Sequence, residues 1–224
     1  MNPPAIAASQ NTLADWLALL ESRHPQGSAG IELGLDRVRK VSRTLGQKQS
    51  VPLITIAGTN GKGSTCAMLE KILGCAGYRV GLYTSPHLIT YNERIRINGA
   101  PIDDAALCAA FERIEAARLA AGDIALTYFE AGTLAAWECF AAAGVDVILL
   151  EAGPGGRLDA TNIYDADCAI VTTVAAQRPS LAIVPERSIT SITVGSIRDT
   201  SISVTGEHAS SAGGRALPSA QCSS

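Results

Sequence analysis

The chain has 224 residues, 47% of them hydrophobic and 17% charged, with a formal net charge of −3. That length holds one α/β domain with a substantial core, or one domain and part of a second. The slight acidity argues against broad attraction to nucleic acid or an anionic membrane surface.

No basic segment followed by a long apolar stretch opens the sequence, and no apolar run reaches membrane-spanning length, so a soluble cytoplasmic protein is expected. The six cysteines (66, 75, 108, 139, 168 and 222) stand singly, without a C-x-x-C pair. This spacing suits neither a zinc site nor a disulfide framework, and reduced thiols are expected.

Taken in chain order, "TLADWLALLESRH" places Leu13, Trp16, Leu17 and Leu20 on one helical stripe. "LGLDRVRKVSRTLG" reads as a second amphipathic helix stopped by Gly46. "PLITIAG" is a short β-branched strand running into a glycine turn. "STCAMLEKILGCAGY" then has Met68, Leu69, Ile72 and Leu73 at helical spacing, and "RVGLYTS" returns to strand. Strand, loop, helix and strand make a βαβ unit, the building block of parallel sheets. "YNERIRINGAPI" suggests a hairpin around Asn98-Gly99. Helices are expected over residues 103 to 121 and 128 to 143. "VDVILLE" and "DCAIVTTVA" read as buried parallel strands. The expected fold is α/β, a doubly wound and mostly parallel sheet carrying a phosphate-binding loop.

From residue 177 to 224 there are eleven serines, against seven in the preceding 176 residues, and no aromatic residue follows Tyr164. That composition predicts a disordered, low-complexity tail after a domain of residues 1–176.

The chemistry concentrates in "LITIAGTNGKGSTCAMLE". A strand ending in glycine-rich backbone at a helix start offers several N–H donors to one anion, helped by the helix dipole. Gly58, Thr59, Asn60, Gly61, Lys62, Gly63 and Ser64 are the candidate nucleotide-binding residues. Gly63 separates Lys62 from the hydroxyl that the common G-x-x-x-x-G-K-[ST] pattern puts directly after the lysine. Lys62 would meet the β- and γ-phosphates, and Ser64 or Thr65 would meet magnesium. Glu151 closes "VDVILL", where ligands of open α/β sheets gather, and is the candidate acid for the metal if its strand neighbours the first. Ser85, in "TSPH", would reach the same ion. His87 is ambiguous between a structural hydrogen bond and a functional one. Asp159 and Arg157 would bind substrate or pair within their own loop. Tyr128 and Phe129 read, on their own, as core packing.

Together, "AGTNGKGS", "YTSPHL", "NERIRING", "LTYFEAGTLAAW" and "LEAGPGGRLDATN" resemble the bifunctional dihydrofolate synthase/folylpolyglutamate synthases, relatives of the Mur ligases, over residues 12 to 175. The resemblance implies an ATP- and Mg2+-dependent amide ligase. It would phosphorylate a carboxylate of dihydropteroate or of a folate glutamate tail, which the amine of L-glutamate then attacks. It implies catalytic roles for Lys62 and Glu151, and Ser64, Ser85 and Glu151 as metal ligands. It also implies that Glu32, Leu33, Gly34, Leu35, Thr127, Tyr128, Phe129, Glu130, Leu158, Asp159 and Ala160 contact the pteroate, making Tyr128 and Phe129 a substrate wall. The implied partners are small molecules, with no nucleic acid, no membrane and a monomeric state.

The family's pattern continues with an Asp-His pair that supplies another metal ligand, then a lysine-bearing segment and a second domain. Here Gln177 and Arg178 stand in place of the pair, and an arginine has no lone pair to offer a cation. The expectation is an incomplete ligase with a truncated or frameshifted tail. The competing functions are a non-catalytic nucleotide- or pterin-binding module and a Mur-type amino-acid ligase.

Overall fold

A computed structural model describes residues 12–23, 34–153, 158–173 and 192–193. Five helices and seven strands form there: α1 (Leu13–Ser22), α2 (Asp36–Leu45), β1 (Leu53–Ala57), α3 (Lys62–Cys75), β2 (Val80–Tyr83), β3 (Ile95–Ile97), β4 (Ala100–Pro101), α4 (Asp104–Ala120), α5 (Tyr128–Ala143), β5 (Val147–Glu151), β6 (Cys168–Val171) and β7 (Ile192–Thr193). The strands make one sheet in the order β4-β3-β2-β5-β1-β6-β7. The β2, β5, β1, β6 and β7 strands run parallel, and the β3–β4 hairpin adds antiparallel to β2.

Local chemistry sets most boundaries. Thr12 caps α1 in a reciprocal box with Asp15, and Thr127 caps α5 in the same way with Glu130. Asp103 accepts the Ala106 N–H at 2.7 Å to start α4. The hairpin turns through Asn98 (φ 52°) and Gly99 (φ 82°), the positive pair such two-residue turns require.

Alternation along each strand sends its side chains to two cores. Leu53, Tyr83, Ile95, Ile148 and Leu150 join α1, α2, α4 and α5 on one face. Ile56, Val80, Leu82, Val147 and Leu149 meet α3 on the other. The doubly wound reading holds, with four helices against one among the described residues. Two details differ from the sequence reading. The α3 helix begins at Lys62, two residues early, and its inner face is Cys66, Leu69, Glu70 and Leu73. Met68 (61% exposed) and Ile72 (56%) point outward, because each lies about 100° round the helix from its partly buried neighbour, Leu69 or Leu73. Glu70 can be buried because it accepts Arg96 Nη2 and the Gly99 N–H.

Of the segment expected to be a disordered tail, Ile192–Thr193 lies parallel to β6. The rest, with Gln177 and Arg178, falls outside the described residues.

Candidate functional site

Strands β2, β5 and β1 lie side by side, with Ile56 of β1 in register with Glu151 of β5. Their carboxyl ends therefore meet at one place, as the sequence reading required. The phosphate loop leaves β1 at Gly58 and enters α3 at Lys62. Gly61 takes the left-handed conformation (φ 86°) at the helix N-cap, which glycine adopts without steric cost. Lys62 folds back so that Nζ lies 3.1 Å from the Gly58 carbonyl and 3.8 Å from Glu151 Oε1. On the far side of Glu151, the Ser85 N–H donates to Oε2 at 3.1 Å.

Glu151 is 6% exposed. Burial pushes its carboxyl above the ordinary range, against the Ser85 N–H and the Lys62 charge, which both pull it down. A buried carboxylate with so little opposing charge favours a cation beside it. The native state keeps this proton to higher pH than the unfolded chain does. Stability of the ligand-free protein therefore falls as pH rises from the usual glutamate value through the raised one. Glu151→Gln is expected to be more stable than the parent at pH 7, with the difference vanishing toward pH 4. Thermal melts across that range check this, and a variant less stable than the parent at pH 7 would refute it.

His87 has a structural bond. Its Nδ1 accepts from Arg94 Nε at 2.8 Å, so the neutral ring carries its proton on Nε2. Partial burial and the Arg94 charge hold its pKa below the ordinary 6.5, with Glu93 opposing. Long-range nitrogen–proton NMR is expected to find the Nε2–H tautomer, more than half neutral at pH 6.5. A ring mostly protonated at that pH would contradict the contact.

Of the residues implied for substrate, Glu32 and Leu33 lie outside the described residues, as do positions 154–157 with Arg157. Gly34 starts the segment before α2, and Leu35 is in the core. Tyr128 and Phe129 separate. Tyr128 is buried edge-on to Tyr91, ring centroids 5.5 Å apart. Phe129 is partly exposed beside Tyr83 at 5.9 Å. A Cβ built on Gly153 would lie 3.2 Å from the Phe129 ring and 2.5 Å from Asp159 Oδ2. The structure thus brings Phe129 and Asp159 together two residues past Glu151. Asp159 Oδ1 accepts the N–H and hydroxyl of Thr161, capping the 3-10 turn Ala160–Ile163. Thr127 and Glu130 are bonded to each other, and Glu130 also accepts from Arg37 at 3.1 Å. Leu158 is 44% exposed and Ala160 is buried.

Sequence reading missed Thr172 and Thr173, which follow β6 and bond to the phosphate loop. Two hydroxyls straight after a strand neighbouring β1 were the available signal. It also missed Arg94, whose guanidinium lies 5.3 Å from the Tyr91 ring centre and 5.7 Å from that of Tyr128.

No protein-family model matches the chain. Among individual proteins, the dihydrofolate synthase/folylpolyglutamate synthase of Escherichia coli K12 is 54% identical over 164 residues, covering 73% of this chain and 37% of that protein. The chain is a homologue of these synthases. Its fold agrees with theirs. The structure of E. coli FolC in complex with DHPP and ADP superposes with a TM-score of 0.69 at 51% identity, covering 78% of this chain and 40% of that one. A bifunctional synthase with Mn, AMPPNP and L-glutamate bound gives 0.66 at 50% identity, covering 73% and 38%. The chain spans well under half the length of these relatives.

Proposed function

We propose that this chain forms the ATP-phosphate and magnesium end of a ligase that joins L-glutamate to dihydropteroate and to the glutamate tails of folates. The observation that carries the reading is the meeting of Lys62, Glu151 and the Ser85 N–H at the ends of three adjacent strands, beside a glycine loop that opens a helix. Gly58 through Ser64 would hold the phosphates, with Lys62 over the β- and γ-oxygens.

The residues fit a magnesium ion. Glu151 is a buried carboxylate with a raised pKa that accepts the Ser85 N–H, and Ser64 and Ser85 would add their hydroxyls to the ion. Among the described residues no group of three or more His, Cys, Asp or Glu could hold a metal. Magnesium suits that poverty, because it binds through one or two carboxylates and takes its other oxygens from phosphates and water. When bound, it would neutralise phosphate charge.

In the proposed reaction a substrate carboxylate oxygen takes the γ-phosphoryl group and ADP leaves. The amine of L-glutamate then attacks the acyl carbon, phosphate departs, and the amine proton passes to solvent. Phe129 and Asp159, side by side past Glu151, would face the pteroate, and the other implied contacts would flank them. Localisation in the cytoplasm is part of the reading. Among the described residues no helix is long and apolar enough to cross a membrane.

A nucleotide- or pterin-binding module without ligation is the second reading, favoured by Gln177 and Arg178 standing where the resemblance calls for an Asp-His pair. Incubation with ATP, magnesium, dihydropteroate and labelled glutamate separates the two. Label in a pteroylglutamate product supports the ligase, whereas nucleotide binding without product supports the module.

A further inference from the structure

The phosphate loop is fastened along its first half to the end of β6. The Thr59 N–H donates to the Thr173 carbonyl at 2.6 Å, and the Asn60 N–H donates to Thr173 Oγ1 at 3.3 Å. In return Thr172 Oγ1 lies 2.7 Å from the Asn60 carbonyl and 3.1 Å from that of Ala57, and its single proton serves one of them at a time. Thr173 Oγ1 is also 3.1 Å from the Asn60 carbonyl, and the Thr172 N–H donates to Ala57 at 2.8 Å. Gly58 is what lets the two strands close this tightly. A Cβ there would stand 2.0 Å from Thr172 Oγ1.

The consequence is a division of the loop. The amides of Thr59 and Asn60 already have partners on β6. The helical ladder starts only with the Thr65 N–H donating to Gly61 at 3.0 Å. Between them lie the N–H groups of Lys62, Gly63 and Ser64, which open α3 and have no intrahelical acceptor. An anion at the loop would draw on this second set, with Lys62 beside it.

We propose that Thr172 and Thr173 are positioning residues that pin the first half of the phosphate loop, so that the helix-opening amides and Lys62 stay aimed at one phosphate position. The inference rests on the nucleotide reading above and adds two residues that touch no phosphate themselves. It assigns the hydroxyls, not merely the bulk of the side chains. Valine in either place keeps the shape and loses the bonds.

The test uses the full chain and two readouts. Amide hydrogen exchange by NMR, without nucleotide, is expected to show Asn60 exchanging at least about tenfold faster in Thr173→Val, with the β1 and β5 amides unchanged. Calorimetric titration with Mg-AMPPNP is expected to show binding weakened roughly tenfold, about the worth of one hydrogen bond. Thr173→Ser should restore both. Thr172→Val, which loses the bond to the Asn60 carbonyl, is the second variant should Thr173→Val fold poorly, and the same directions are expected. Unchanged Asn60 exchange in the valine variants, or serine that restores neither quantity, overturns the clamp. Faster exchange in the valine variants, with no nucleotide bound even by the parent, overturns the nucleotide reading and the phosphate-aiming role with it.

Discussion

Lys62→Ala is expected to weaken Mg-ATP binding by about a hundredfold or more while leaving the fold intact. The ammonium sits over the loop, within reach of one carbonyl and one carboxylate oxygen, and its side chain is 20% exposed. Replacing those contacts with phosphate oxygens would give charge-assisted bonds worth about 1.5–3 kcal/mol each, so losing two of them costs at least that factor. The fold should tolerate the change because Lys62 occupies the first position of α3 and belongs to no hydrophobic cluster. Glu151 would lose its opposing charge, and its pKa should rise further. Titration calorimetry beside circular dichroism checks the prediction. A folded variant that binds with the parent's affinity would contradict the role of the lysine.

Gly81→Val should have the largest effect on stability, a loss of about 3 kcal/mol, at the upper end for overpacking a core. Gly81 lies in β2 between β5 and β3, its backbone paired on both sides. A Cβ there would meet Phe140 Cδ1 at 2.6 Å and two further ring atoms at 3.0 Å. Phe140 is 1% exposed and belongs to the core on the α5 side of the sheet, so the clash falls on a packed ring. Valine adds two methyl groups to that collision. Against a total stability of about 5–15 kcal/mol the loss is large, and the urea midpoint should fall steeply. An unchanged midpoint would mean that α5 does not press on β2 as described.

The sequence made the strand–loop–helix unit legible because three local signals agree there: a β-branched run, clustered glycines and a helical stripe. The α5 boundaries were legible too, since a threonine three residues before a glutamate announces a capping box. Strand order was not. The β1 and β5 strands are neighbours across nearly a hundred residues, and the placing of Glu151 beside Lys62 depended on that pairing. Composition also could not separate Tyr128 from Phe129. They stand about 100° apart on α5, so one is buried against Tyr91 while the other reaches toward Gly153. Thr172 and Thr173 showed only as two hydroxyls after a strand; what they bond was not legible, because their partners lie more than a hundred residues away on the loop.

The proposed chemistry requires one arrangement, a glycine loop whose Lys62 faces the buried carboxylate of Glu151, with that carboxylate holding a divalent cation. Electron paramagnetic resonance of Mn2+ titrated into the chain with AMPPNP tests it most directly. The parent protein should bind manganese in a nucleotide-dependent way, and Glu151→Gln should lose most of that binding while remaining folded. Undiminished nucleotide-dependent binding in the variant, or none in the parent, would contradict it.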